Sequence, residues 1–230
     1  MDFSRNTFDN HLQKMTDDTL LLASRVSEAV HNAIDALGSM DSIVAGQVIA
    51  NDEEINARRY QIENDVIVLI ATQQPVGRDV RFLAAILEII TELERIGDYA
   101  KGICKIQLLI TREDCLRSVI SDLKRMSVMG LSMLNDSLSA FINKDVAFAR
   151  QIPDRDDAVD SLYNDIRSRL VSLMIKDMSY AQNVDYLIWV AHNLERLADR
   201  VSNICERIIY VYTGEMKELD GPRKYQPPEE

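Results

Sequence analysis

Residues 83–104 read LAAILEIITELERIGDYAKGIC, and in them Leu83, Ile86, Leu87, Ile90, Leu93, Gly97, Ala100 and Cys104 recur at steps of three and four. That spacing gathers apolar groups onto one stripe of a 3.6-residue helix, so the stretch is expected to be a helix with a single buried face. Working outward, similar periodicity runs between breaks that carry capping or turn residues: Met40-Asp41, Gln73-Gln74-Pro75-Val76-Gly77, Thr111-Arg112-Glu113-Asp114, Asn143-Lys144-Asp145 and Asp177-Met178-Ser179. Six helices of roughly 30 residues result, each about 45 Å long. Helices this long on such short connections must fold back as antiparallel neighbours. Pro153 falls inside the fifth segment and should either kink that helix or mark its true start.

The chain also repeats itself. Adding 104 to first-half numbers matches Asp41 with Asp145, Ala45 with Ala149, Asp52 with Asp156, Ile55 with Val159 and Ile62 with Ile166. Adding 101 matches Leu93-Glu94-Arg95 with Leu194-Glu195-Arg196, Asp98 with Asp199, and Ile103-Cys104 with Ile204-Cys205. The change of offset falls between the second and third helices of each half, and a longer Gln73-to-Arg81 connection is expected to absorb it. The expected fold is therefore all-α: two tandem, pseudo-symmetric three-helix bundles over residues 1–112 and 113–213, with a flexible C-terminal tail over 214–230, where Gly and Pro are frequent.

Composition agrees and narrows the function. Of 230 residues 47% are hydrophobic, and 8 Gly and 5 Pro are too few for a many-stranded sheet. A net charge of −11 without a Lys/Arg-rich block argues against nucleic-acid binding. The opening Met1-Asp2-Phe3-Ser4-Arg5 lacks the basic-then-apolar pattern of a secretory signal, and the longest apolar run, 66–71, is too short to span a bilayer, so a cytoplasmic location is expected. Cys104, Cys115 and Cys205, odd in number and without C-x-x-C spacing, read as packing residues.

The chemistry lies in carboxylate pairs. Glu94 and Asp98, Glu195 and Asp199, and Asp156 and Asp160 each stand four apart, so each pair projects from one helix face, and Asp52 with Asn56 repeats the spacing in the first half. In an antiparallel hairpin the early pair lies beside the late one. Up to four oxygen-bearing side chains then meet in each half, a donor set suited to hard cations such as magnesium, calcium, manganese or ferric iron. Helical projection puts Glu94 and Asp98 roughly 60° and 100° from the centre of the apolar stripe, at its edge. Salt-bridged helix faces are the competing reading, because Lys101 follows Asp98 by three and Arg59, Arg95, Arg196 and Arg200 are at hand. Asn56 and Lys101 make the first-half site the weaker one.

Glu28 and His31 form a Glu-x-x-His element of the kind used by di-iron bundles, but neither His11 nor His192 supplies the second that such a site needs. There is no Gly-rich phosphate loop, nucleophile elbow or His-Glu-x-x-His stretch, so catalysis is not expected.

Gln73-Gln74-Pro75-Val76 with Asp79-Val80-Arg81-Phe82-Leu83, Leu93-Glu94-Arg95-Ile96-Gly97-Asp98, and Leu194-Glu195-Arg196-Leu197-Ala198-Asp199 with Asn203-Ile204-Cys205-Glu206 resemble the PhoU family of phosphate-uptake regulators over about residues 8–214. The resemblance implies two three-helix bundles and, as in some members, metal bound by acidic motifs. By matching position the ligands would be Asp52, Glu94, Asp98, Asp156, Asp160, Glu195 and Asp199, holding iron, zinc, magnesium, manganese or calcium and no organic cofactor. Asn56, Gly102 and Lys105 depart from the family pattern in the first half, and Ala198 replaces the motif glycine without touching a ligand. The resemblance further implies a negative regulator of phosphate uptake and phosphate-starvation signalling. It would be a non-enzymatic homodimeric adaptor between the cytoplasmic components of a phosphate ABC transporter and a sensor histidine kinase, reaching the membrane only through partners. A metal-dependent, phosphatase-like enzyme and a general helical scaffold are the alternatives.

Overall fold

Asp41 ends one helix and begins another. Its carboxylate accepts hydrogen bonds from the backbone N–H groups of Ile43 (2.9 Å) and Val44 (3.1 Å), satisfying donors that the first helical turn leaves open, while Met40 before it adopts the left-handed conformation (φ 55°). Asp145 does the same through the Phe148 N–H at 2.9 Å. The computed structural model describes residues 2–219. Within them run α1 (Asp2–Ser39), α2 (Ser42–Gln73), α3 (Arg78–Gln107), a short α4 (Glu113–Arg117), α5 (Ile120–Asn143), a short α6 (Val146–Ala149), α7 (Asp156–Lys176) and α8 (Ala181–Thr213), with no β-strand among the described residues.

α1, α2 and α3 pack as one three-helix bundle and α5, α7 and α8 as the second. Leu22, Val26, Ile62, Val66 and Ile90 fill the first core and Leu123, Met126, Ile166, Leu170 and Leu187 the second. α3 also packs along α8, which makes the two cores one continuous apolar cluster. The linker between the bundles is held by buried Asn183, whose side-chain oxygen accepts from the Thr111 and Arg112 N–H groups at 2.9 and 3.2 Å. No described helix is long and apolar enough to cross a membrane.

The structure corrects three details. The fourth and fifth long segments are interrupted. Ser118 turns its hydroxyl onto the Cys115 carbonyl (2.7 Å) where α4 stops. Pro153, lacking an N–H, opens a 3₁₀ turn (Pro153–Arg155) that runs straight into α7, so it marks a helix start rather than a kink. Second, the α2–α3 and α7–α8 connections cover 74–77 and 177–180 and are equal in length, so the additional first-half residues extend the helix ends and not the loop. Third, residues 214–219 of the expected tail are bound back. Gly214, at φ 79°, caps α8, Glu215 stands 3.7 Å from Arg150, and Leu219 packs on the core. Residues 220–230 lie outside the described residues.

All three cysteines are buried thiols, and burial pushes Cys104 up to about 12. His31 is an exposed residue 3.3 Å from Asp35.

Candidate functional site: the acidic helix pairs

α2 and α3 bring Asp52, Asn56, Glu94, Asp98 and Lys101 to one place. Asp52 is 3% exposed, and its Oδ2 accepts from Lys101 Nζ at 2.5 Å and from Asn56 Nδ2 at 3.0 Å. Lys101 Nζ also stands 3.8 Å from Asp98 Oδ1. Its hydrogen bond with Asp52 holds the ammonium above the usual lysine range, against the opposing effect of burial. Burial raises the Glu94 carboxyl, and the neighbouring charge of Asp98 adds to the effect. An ammonium therefore sits among the first-half carboxylates, so the residues present do not fit a metal ion there.

The second half changes two of these residues. Asn56 corresponds to Asp160 and Lys101 to Ser202, which is fully buried, so the matched site has one more acid and no ammonium at that position. Asp156, in the first turn of α7, and Glu195, in mid-α8, are each 7% exposed, and Asp160 and Asp199 follow one turn later on the same helices. His192 Nδ1 lies 3.1 Å from Glu195 Oε2, and the His192 ring tilts against Tyr163 at 5.9 Å. As chemistry, an oxygen-rich set with two buried carboxylates suits a hard cation. No group of three or more His, Cys, Asp or Glu side chains stands in a metal-holding arrangement among the described residues. The helices thus supply the donors without preassembling a cage.

Asn203 and Glu206, further along the same motif, face elsewhere. Asn203 Nδ2 donates to Glu92 Oε2 at 3.2 Å, and Glu206 accepts from the Leu219 N–H at 2.8 Å. Glu92, 6% exposed in α3, also receives Arg95 (2.8 Å) and Arg200 (3.2 Å), so a buried carboxylate with three donors ties the halves together. Sequence reading missed this lock; its one visible trace was the Glu92–Arg95 spacing of three. The matched places in the first half hold Gly102 and Lys105, and the glycine has a packing reason. A Cβ on Gly102 would lie 2.3 Å from Trp189 Cη2, so the α8 tryptophan occupies the space a side chain at 102 would need.

A cavity of about 620 Å³ lies away from the acidic pairs. It opens where α1, the α2–α3 connection and the C-terminal ends of α5 and α8 meet, walled by Leu12, Val76, Phe82, Phe141, Ile142 and Tyr212. Phe82 and Phe141 stack at 5.7 Å, Tyr212 donates its hydroxyl to the Phe141 carbonyl at 3.0 Å, and Arg78 lies 4.9 Å over the Tyr212 ring with Lys144 close by.

This architecture defines a duplicated helical-bundle protein with one acidic helix pair per half and an aromatic cavity where the halves meet. The PhoU domain profile matches it twice, at residues 19–107 and 123–208. The chain belongs to the PhoU family. It is 33% identical to the phosphate-specific transport system accessory protein PhoU homolog of Clostridium acetobutylicum over 94% of this chain and 99% of that one. The crystal structure of the phosphate transport system regulatory protein PhoU from Streptococcus pneumoniae superposes with a TM-score of 0.82 at 32% identity, covering 91% of this chain and 99% of that one. PhoU from Pseudomonas aeruginosa superposes at 0.83 with 27% identity, over 90% and 100% of the two chains.

Proposed function

We propose that the protein is a non-enzymatic, cytoplasmic, homodimeric negative regulator of phosphate uptake and phosphate-starvation signalling, docking to the cytoplasmic components of a phosphate ABC transporter and to a sensor histidine kinase. Near-full-length similarity to proteins described as phosphate-specific transport accessory proteins carries the reading. Val76, Asp79 and Phe82 of the family-like stretch line the aromatic cavity, which gives that stretch a surface on which to dock. Deleting the gene and following phosphate-starvation transcripts in phosphate-rich medium tests it. Derepression is expected, and unchanged expression refutes it.

Within this role Asp156, Asp160, Glu195 and Asp199 would hold a hard cation, and the ion would neutralise carboxylates that α7 and α8 bury together. The same buried pair favours a second reading, a metal-dependent phosphatase-like enzyme. Assay of metal-loaded protein beside its Glu195→Gln variant separates the two, since equal or absent activity in both removes the enzyme.

A further inference from the structure

Two grooves stand at matched places in the duplicated chain, and the described residues fill only one of them. Adding 101 to Arg78, Asp79 and Phe82 gives Ser179, Tyr180 and Asn183, and adding 101 to Thr111 gives Tyr212. Adding 104 to Asp9 and Leu12 gives Glu113 and Leu116, in α4. Thr111, α4 and the start of α8 therefore repeat the setting in which Tyr212, residues 9–16 and the start of α3 line the cavity of about 620 Å³.

In the second-half copy the polypeptide itself lies in that setting. Asn183 Oδ1 accepts from the Thr111 and Arg112 N–H groups at 2.9 and 3.2 Å. The Arg112 guanidinium donates to Ser179 Oγ at 3.1 Å and lies 4.0 Å over the Tyr180 ring, and the Tyr180 hydroxyl donates to Asp114 Oδ2 at 2.5 Å. The occupant is a short stretch of chain held through its backbone, a guanidinium and one carboxylate. In the first-half copy the chain takes another course: after Tyr212 it turns at Gly214 toward Arg150 and Glu206. No described segment joins α8 to α1 across the cavity.

The open copy also differs in chemistry. Val76 and Ile142 in its walls are 79% and 52% exposed, beside Phe82, Phe141 and Tyr212. By the same offsets, Arg78 stands where the filled copy has Ser179 and Lys144 where it has Met40. Neither cation has an ion-pair partner among the described residues, whereas Asp9 and Asp79 in the same walls are already engaged. Arg78 opens α3, where the helix dipole disfavours a positive charge, and Gly77 before it supplies no side-chain cap. An incoming carboxylate would meet the guanidinium and the positive end of the helix together. We infer that the cavity is a docking groove for a short segment of a partner protein that carries carboxylates beside apolar side chains, laid as residues 111–114 are laid in the other copy. The inference rests on the adaptor reading above and names the partner chemistry that the reading leaves open.

A random dodecapeptide library displayed on phage and panned against the full chain tests it without transporter or kinase. Recovered sequences are expected to combine acidic with leucine or aromatic residues, and their fluorescein-labelled synthetic copies to bind by anisotropy. Arg78→Glu/Lys144→Glu should weaken that binding at least about tenfold through two lost charge pairs, with circular dichroism unchanged because both positions are exposed. Ser179→Glu, at the matched second-half position, should leave it unchanged. No enrichment, recovery of basic sequences, or equal binding to the double variant overturns the inference. So does displacement of the peptide by inorganic phosphate at matched ionic strength, which would give the groove to a small anion. Displacement by a synthetic copy of residues 220–230 overturns it too, assigning the groove to this chain's own C-terminal residues. Derepression in the deletion strain with no peptide recovered would refute the groove and leave the regulator standing.

Discussion

Replacing Lys101 with Met keeps most of the side-chain volume and removes the ammonium from Asp52. The Asp52 side chain is 4% exposed and the Lys101 side chain 28%. Breaking a buried ion pair by deleting one partner costs about 3–5 kcal/mol, because the remaining charge is stranded. Water reaches the Lys101 end, which places the loss at the lower limit, about 3 kcal/mol. For a chain of this size that lowers the thermal midpoint by about 6–12 °C. Urea unfolding followed by circular dichroism measures it. Asp52→Asn in the same chain should restore most of the loss, because both charges are then gone and Asn56 still has an amide partner. Since the hydrogen bond with Asp52 raises the Lys101 pKa, the lysine's contribution is fully present at neutral pH, below the unfolded lysine value of 10.5, and is lost as pH rises through the folded value. The wild-type advantage over Lys101→Met should therefore hold across neutral pH and shrink only in strong alkali. A loss below about 1 kcal/mol, well under the range for a stranded buried charge, or a double variant as unstable as the single one, refutes the view that Lys101 is the internal cation of the first half.

Glu94 provides a second pH signature, of the same sign but at the acid end: its folded pKa is raised by burial and by Asp98, so its ionised form burdens the fold as pH climbs through that value, and Glu94→Gln should be more stable than wild type at pH 7 with the gap closing below pH 4.5. Gly102→Ala should displace Trp189, the only tryptophan in the chain, costing about 1–3 kcal/mol; a red shift of its emission reports the displacement, and an unshifted spectrum argues against the close packing. Elemental analysis of chelator-free protein should find metal that an Asp156→Asn/Glu195→Gln/Asp199→Asn variant lacks, and identical content would leave these residues as salt-bridged faces. An Asn56→Asp/Lys101→Ser chain, which gives the first half the donor set of the second, should bind one further cation per chain by isothermal titration; no added binding would mean that the donor set alone does not make the site.

Much of this was legible because it depends on local rules. The three-and-four spacing over 83–104 reports a buried stripe whatever lies against it. Asp41, Asp145 and Gly214 mark helix ends through caps that need only their own neighbours. The Asn56 and Lys101 exchanges were visible as residue types, and the structure adds that the Lys101 ammonium reaches Asp52 on the neighbouring helix more closely than Asp98 on its own. The Glu92 lock was not legible, because its partners Arg200 and Asn203 lie more than a hundred residues away and face it only once α3 and α8 pack together. Neither was the reason for Gly102, since nothing near it in the chain announces the distant Trp189 ring.

The sequence by itself determined the helices, their duplication and the family, because periodicity, capping and repeated motifs are properties of a chain read in order. Tertiary structure decided which carboxylates have a cation built in, why Asn203 and Glu206 turn toward α3 and residues 214–219 instead of toward Asp156, and where the aromatic cavity opens. Those outcomes depend on which side chain from a remote helix occupies a shared space, and that is set only when the two bundles pack along α3 and α8.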